Sequence, residues 1–162
     1  MRRLAPLALA LLLAGCGGDG GTGGGGQAEG PSVTPAVELT ATERQARLAA
    51  LPAPYNAADL ENGRKQYGKC RSCHTIAEGG PNLTGPNLYG VFGRKAGAVP
   101  DYAYSETLVG TGWTWDAAKL DGWLANPREY LPGTKMSFAG LRDETDRRDL
   151  IGYLKVETGY QP

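Results

Sequence analysis

The chain has 162 residues, enough for one domain with a real core, and 17 basic residues balance 17 acidic ones. With no surplus of positive charge there is no nucleic-acid footprint, and that class of partner is excluded. Ten of the 25 glycines fall in residues 15–30, so the first part of the chain differs in kind from the rest.

Met1-Arg2-Arg3 is a short basic start, followed by an apolar run from Leu4 to Leu13. That run is about half of the roughly 20 residues a bilayer-spanning helix needs, so residues 1–15 read as a secretory signal. It ends in Leu13-Ala14-Gly15-Cys16, which resembles the bacterial lipobox. The resemblance implies cleavage before Cys16, lipidation of its thiol, and a mature chain that hangs from a membrane. Buried acyl chains anchor at about 0.8 kcal/mol per methylene. The competing reading is an ordinary cleaved signal with a chance cysteine; Arg2-Arg3 alone is thin support for a twin-arginine signal. Residues 16–54 are expected to be the lipidated cysteine and a flexible Gly/Pro/Ala-rich tether, because Gly17–Gly30 has too little apolar surface to offset its ordering entropy. Within it, Leu39–Leu51 reads as a short, weakly ordered helix stopped by Pro52.

The folded domain is expected over residues 55–162, and Tyr55–Tyr160 holds 13 Lys plus Arg against 13 Asp plus Glu. A first helix runs from an Asn56 cap to about Lys69, with Leu60, Gly63 and Tyr67 on one face. Gly63 admits a second backbone. A second helix fits Asp116 to Asn126, stopped by Pro127. A last helix fits Asp143 to about Val156, with an acidic first turn and Leu150, Ile151, Tyr153 and Leu154 as its apolar side. No alternating strand pattern is present. The domain reads as all-α with long Gly- and Pro-rich loops, which a cofactor packed inside them would explain.

Cys70-Arg71-Ser72-Cys73-His74 has the C-x-x-C-H spacing of covalent haem attachment. Two thiols one helical turn apart match the two vinyl groups of haem, and the following imidazole is placed to bind iron. A thioredoxin-like pair would need a βαβ unit, which is not visible. A structural zinc ion would need two more ligands, yet His74 is the only histidine. The cysteine count then closes: Cys16 for lipid, Cys70 and Cys73 for haem. Met136 is the one methionine left after signal removal; it is either the sixth iron ligand or an ordinary core filler.

Further motifs follow in order: Thr84-Gly85-Pro86-Asn87-Leu88, Phe92-Gly93-Arg94-Lys95, Asn126-Pro127, Tyr130-Leu131-Pro132-Gly133-Thr134-Lys135-Met136 and Asp149-Leu150-Ile151-Gly152-Tyr153-Leu154. Together they resemble the class I c-type cytochromes, the group of mitochondrial cytochrome c and bacterial cytochrome c2. The resemblance covers about Ala58 to Thr158. It implies a helical fold around one covalent haem, with the first and last helices crossing at Gly63, Tyr67, Leu150 and Tyr153. It implies His74 and Met136 as iron ligands, and the Pro86 carbonyl as acceptor from the His74 ring. It puts Tyr104, Trp115, Arg94 and Thr134 at the haem propionates, and Phe138 over the methionine side. Leu88, Leu124 and Leu154 line the pocket. The plainer readings are core packing for Trp115, Phe138 and Tyr67, and a solvated charge for Arg94.

Two positions depart from the family pattern. Trp123 stands where many members have a tyrosine that bonds the methionine sulfur; an indole N–H only donates, so the network must differ. Leu108, read as a loop residue, replaces an asparagine that bonds an internal water. The implied function is one-electron transfer, not catalysis: a lipid-anchored periplasmic carrier, on the inner rather than the outer membrane. Its donor would be a cytochrome bc complex or a dehydrogenase, and its acceptor a terminal oxidase or another periplasmic acceptor. Lys69, Arg71, Lys95 and Lys135 would rim the exposed haem edge of a monomer. A fixed subunit of a larger oxidoreductase is one alternative; an open-site peroxidase or gas sensor is the other.

Overall fold

The computed structural model describes residues 38–162. The signal, Cys16 and the Gly-rich stretch lie outside the described residues. Among the described residues six α-helices are present: α1 Ala41–Ala49, α2 Leu60–Tyr67, α3 Glu106–Gly110, α4 Ala117–Ala125, α5 Pro127–Tyr130 and α6 Glu144–Glu157. The described residues contain no strand, only an isolated bridge between Lys95 and Thr114. The all-α expectation holds.

Each helix starts where a short polar side chain can take an orphan backbone N–H. Asp116 accepts from Lys119 N at α4, and Asp143 from Asp146 N at α6. Pro127 ends α4 and opens α5, with Asn126 as cap, since proline suits a first helical position. The first expected helix begins later than Asn56. Pro54 leads into a 3-10 turn, Tyr55–Ala57, and Asp59 caps α2 through Glu61 N and Asn62 N. The loop reading of Leu108 is also corrected: it lies in α3, where Ser105 caps a single turn too short to show a period.

The crossing of α2 and α6 organises the core. A β-carbon added at Gly63 would sit 2.5 Å from Tyr153 Cβ and closer still to the Asp149 carbonyl oxygen, so only glycine lets the backbones meet. Leu150, Ile151 and Leu154 are buried with Val91, Leu120, Trp123 and Leu124 in one cluster, against which Met136 packs. Asp149 is buried beneath the crossing but satisfied: it accepts from Asp59 N at 3.1 Å, Asn62 Nδ2 at 2.9 Å and the Arg148 guanidinium. Lys155, also buried, has its ammonium 3.3 Å from the Tyr160 ring centroid and 4.5 Å from that of Phe92.

The expected domain boundary at residue 55 moves toward the N-terminus. α1 is not part of a flexible tether: Thr40 and Glu43 form a reciprocal capping box. Leu48 and Leu51 are buried with Val156 in a second cluster. Arg44 pairs with Glu157, and Arg47 Nη1 donates to the Val156 carbonyl at 3.0 Å. Two buried leucines and two arginine anchors hold α1 against the domain.

Candidate functional site

α2 runs directly into the C-x-x-C-H turn. Cys73 N and His74 N both donate to the Cys70 carbonyl at 2.9 Å, so both thiols and the imidazole follow from one turn of chain. The cysteines are not joined in a disulfide. Burial pushes the Cys70 thiol up to about 11, the opposite of the lowered value a redox-active pair requires. A thioether, which carries no charge, suits that environment.

His74 Nδ1 meets the Pro86 carbonyl oxygen at 2.7 Å. With Nδ1–H donating, the lone pair is on Nε2, the nitrogen free to ligate. Burial lowers the imidazole pKa, against the Pro86 bond that raises it, so the ring is the neutral form a metal needs. Gly85 passes against the imidazole, where a β-carbon would collide with the ring. Tyr67, expected as packing at the helix crossing, adds a second anchor: its hydroxyl donates to the His74 carbonyl at 2.7 Å. Ring spacing alone could not foretell that bond, because its acceptor is backbone.

Met136 lies in the irregular segment after α5. Trp123 Nε1 donates to its Sδ at 3.1 Å, and Met136 N donates to Thr134 Oγ1 at 3.2 Å. The expected change at Trp123 is therefore narrower than a lost contact: the donor to sulfur is retained, supplied by indole. Thr134 Oγ1 thus accepts from the methionine backbone, and its hydroxyl hydrogen can still be donated elsewhere. Lys135 Nζ donates to the carbonyls of Ala103 and Tyr104 at 3.3 and 3.1 Å, tying this segment to the Tyr104 loop. Phe138 is half-buried against the core, as are Leu88 and Tyr104.

Arg94 is a half-buried cation near Tyr104. Its guanidinium donates to the carbonyls of Tyr89 and Asn87 at 2.8 and 2.9 Å, and its own carbonyl accepts from Trp115 N. Burial lowers its pKa, which Tyr104 partly restores, yet no carboxylate pairs with it among the described residues. A half-buried cation without a counter-charge is costly, and an anionic ligand edge removes that cost. The solvated-surface reading of Arg94 does not fit its burial. Trp115 is buried, 8% exposed. Lys69, Arg71, Lys95 and Lys135 are all exposed.

The donor set thus comprises two unpaired thiols on one turn, a neutral imidazole with a fixed tautomer, a thioether held by a donor, and a cation waiting for an anion. It fits one covalently attached haem, the site of a c-type electron-transfer protein.

The chain matches the family model described as Cytochrome c over residues 60–156. It is 41% identical over 105 residues to a cytochrome c of Kluyveromyces lactis, covering 64% of this chain and 96% of that protein. It is 53% identical over 98 residues to a cytochrome c of Theileria parva, covering 60% and 84%. With a cytochrome c of Dictyostelium discoideum it shares 45% over 104 residues, covering 62% and 92%. The chain belongs to the cytochrome c family. Like its members it carries one haem c bound through cysteines, here Cys70 and Cys73.

Proposed function

We propose that the protein is a lipid-anchored electron carrier of the bacterial periplasm, ligating haem iron through His74 and Met136. It would pass single electrons from a cytochrome bc complex or dehydrogenase to a terminal oxidase or another acceptor. The observation that carries this reading is the fixing of both ligands by other residues: the His74 ring on the Pro86 carbonyl, the Met136 sulfur on Trp123. The bound haem supplies a one-electron couple. His74 and Met136 would hold the iron without moving, so that electron exchange displaces few atoms, and Arg94 would offset propionate charge. Phe138 and the buried leucines keep water from the centre.

Support for the anchor is sequence alone: the short apolar leader and its lipobox-like end at Cys16. Among the described residues no helix is long and apolar enough to cross a membrane. The folded region has no net formal charge, so turnover with an oxidase is expected to depend weakly on ionic strength.

The test is the visible spectrum of the protein expressed with haem-ligation machinery. A low-spin spectrum with the weak red band of sulfur-to-ferric-iron charge transfer is expected. A high-spin spectrum would instead favour the open-site peroxidase or sensor reading. Cys16→Ser should release the protein from the membrane fraction; a variant that stays there refutes the anchor.

A further inference from the structure

Four aromatic side chains run in file from the Met136 sulfur to solvent. Trp123 Nε1 touches the sulfur at 3.1 Å. Trp123 meets Trp115 with ring centroids 5.4 Å apart, Trp115 meets Trp113 at 5.6 Å, and Trp113 meets Tyr130 at 5.6 Å. Trp123 and Trp115 are 6% and 8% exposed, while Tyr130 is 40% exposed. Core packing accounts for the buried rings, but not for a file that ends on an exposed tyrosine.

Indole and phenol are the most easily oxidised aromatic side chains, and rings in contact exchange electrons readily. Proton placement gives this file a direction. Among the described residues, Trp113 Nε1 is buried with no hydrogen-bond partner. No protein group among the described residues is therefore placed to receive the proton of an oxidised Trp113, which stays a strongly oxidising cation. The Trp123 N–H faces a thioether, which is a weak acceptor. Only Tyr130 has the ring exposure to hand its proton to water on oxidation, so oxidising equivalents settle there.

We infer that the Trp123–Trp115–Trp113–Tyr130 file is an escape route for oxidising equivalents left at the haem centre by a peroxide. This rests on the haem reading and on Met136 lying at the iron. In each passage one electron moves inward from Tyr130, and the phenolic proton goes to bulk water. The surface tyrosyl radical is then reduced by a soluble one-electron donor such as ascorbate. Two passages supply the two electrons that, with two protons from solvent, convert one hydrogen peroxide to two waters. A six-coordinate site makes such events rare, and the route protects the protein when they occur.

The haem-loaded wild type, Trp113→Phe and Tyr130→Phe are treated with excess hydrogen peroxide and a nitroso spin trap. Peptide mass spectrometry reads the sites of adducts, and absorbance reads haem bleaching. The wild type should be labelled at Tyr130. Trp113→Phe should cut that label several-fold, move oxidation to Trp115, Trp123 and Met136, and bleach haem faster. Tyr130→Phe, at an exposed ring, should move the label to Trp113, and it keeps the test open if Trp113→Phe loads no haem. Labelling of Tyr102, which pairs with Tyr104 outside the file, should change in neither. An unlabelled Tyr130 in bleaching wild type, or equal Tyr130 label in wild type and Trp113→Phe, overturns the inference. A wild-type chain without a haem spectrum before peroxide overturns the haem reading itself.

Discussion

Replacing Trp123 with phenylalanine should lower the reduction potential. The indole N–H draws electron density from the Met136 sulfur at 3.1 Å. A poorer sulfur donor destabilises the ferric ion more than the ferrous one, so the bond favours reduction. A neutral hydrogen bond contributes about 0.5–1.5 kcal/mol net. Only the difference between oxidation states enters the potential, so that range is a ceiling. For a one-electron couple a tenfold change, about 1.4 kcal/mol, equals about 59 mV, which sets the drop at no more than roughly 20–65 mV. The assay is a spectroelectrochemical titration of the haem-loaded protein, with the ferric charge-transfer band recorded to show that the sulfur stays bound. Phenylalanine also leaves a smaller ring where Trp123 is 6% exposed and edge-on to Trp115. A potential shift caused only by that cavity would appear equally in Trp123→Tyr. A phenol able to donate to the sulfur should recover part of the lost potential. An unchanged or raised potential in Trp123→Phe, with methionine ligation intact, refutes the reasoning.

Gly63→Ala should destabilise the fold by about 1–3 kcal/mol from overpacking against Tyr153, offset in part by about 1 kcal/mol of helix propensity, read as a lower melting temperature. Asp149→Asn should cost roughly 1.5–3 kcal/mol at neutral pH, because the charged acceptor of three donors is lost. Burial raises the Asp149 pKa, but its bonds to Asn62, Arg148 and Asp59 outweigh it, and the net shift is downward. The carboxylate therefore contributes stability that is present above the unfolded aspartate pKa and lost as pH falls through the lower folded value. Wild type and Asp149→Asn should converge in denaturant midpoint across that acid window, and a gap independent of pH would contradict this. Leu48→Ala should cost about 2 kcal/mol, the low end for a buried leucine, because Leu48 packs in the smaller cluster with Val156. If α1 were undocked, the same change would leave the melting temperature unmoved.

The helix starts were legible where a capping side chain preceded an apolar period, as at Asp116 and Asp143. Asn56 misled because a second cap, Asp59, lies three residues on and is itself held by Asp149 from the far end of the chain. α1 was expected in outline, but its docking was not. Its partners Val156 and Glu157 are more than 100 positions away, and single-sequence periodicity carries no information about them. The haem-bearing turn was fully legible because its chemistry is local, with two thiols and an imidazole within five residues. The bonds that aim the ligands were legible only through family likeness, or not at all. Pro86 came from position in the motifs, and Trp123 was marked only as a departure from the family; the bond from its indole to the sulfur, the Tyr67 hydroxyl and the aromatic file were not foreseen, since each depends on packing between distant segments.

The same bonds explain how so much irregular chain can hold a rigid site. The stretch between α2 and α3 forms no helix, yet its polar groups are engaged one by one. Asn87 Nδ2 donates to Thr75 Oγ1 and the Ala77 carbonyl, Asn87 N donates to Asn82 Oδ1, and Arg94 spans two further carbonyls. On the methionine side Lys135 and Thr134 do the same, and Arg147, buried beside Asp121, holds the carbonyls of Leu141 and Arg142. Side chains here replace the ladder of a regular element, at the cost of one specific residue per pinned carbonyl. A carrier gains from this trade. Loops can wrap both faces of a flat cofactor where helices could not, while His74 and Met136, the proposed ligands, are each fixed from the ring or sulfur and from the backbone. An open-site enzyme would need one ligand free to leave, and the double fixing of Met136, the proposed ligand, opposes that.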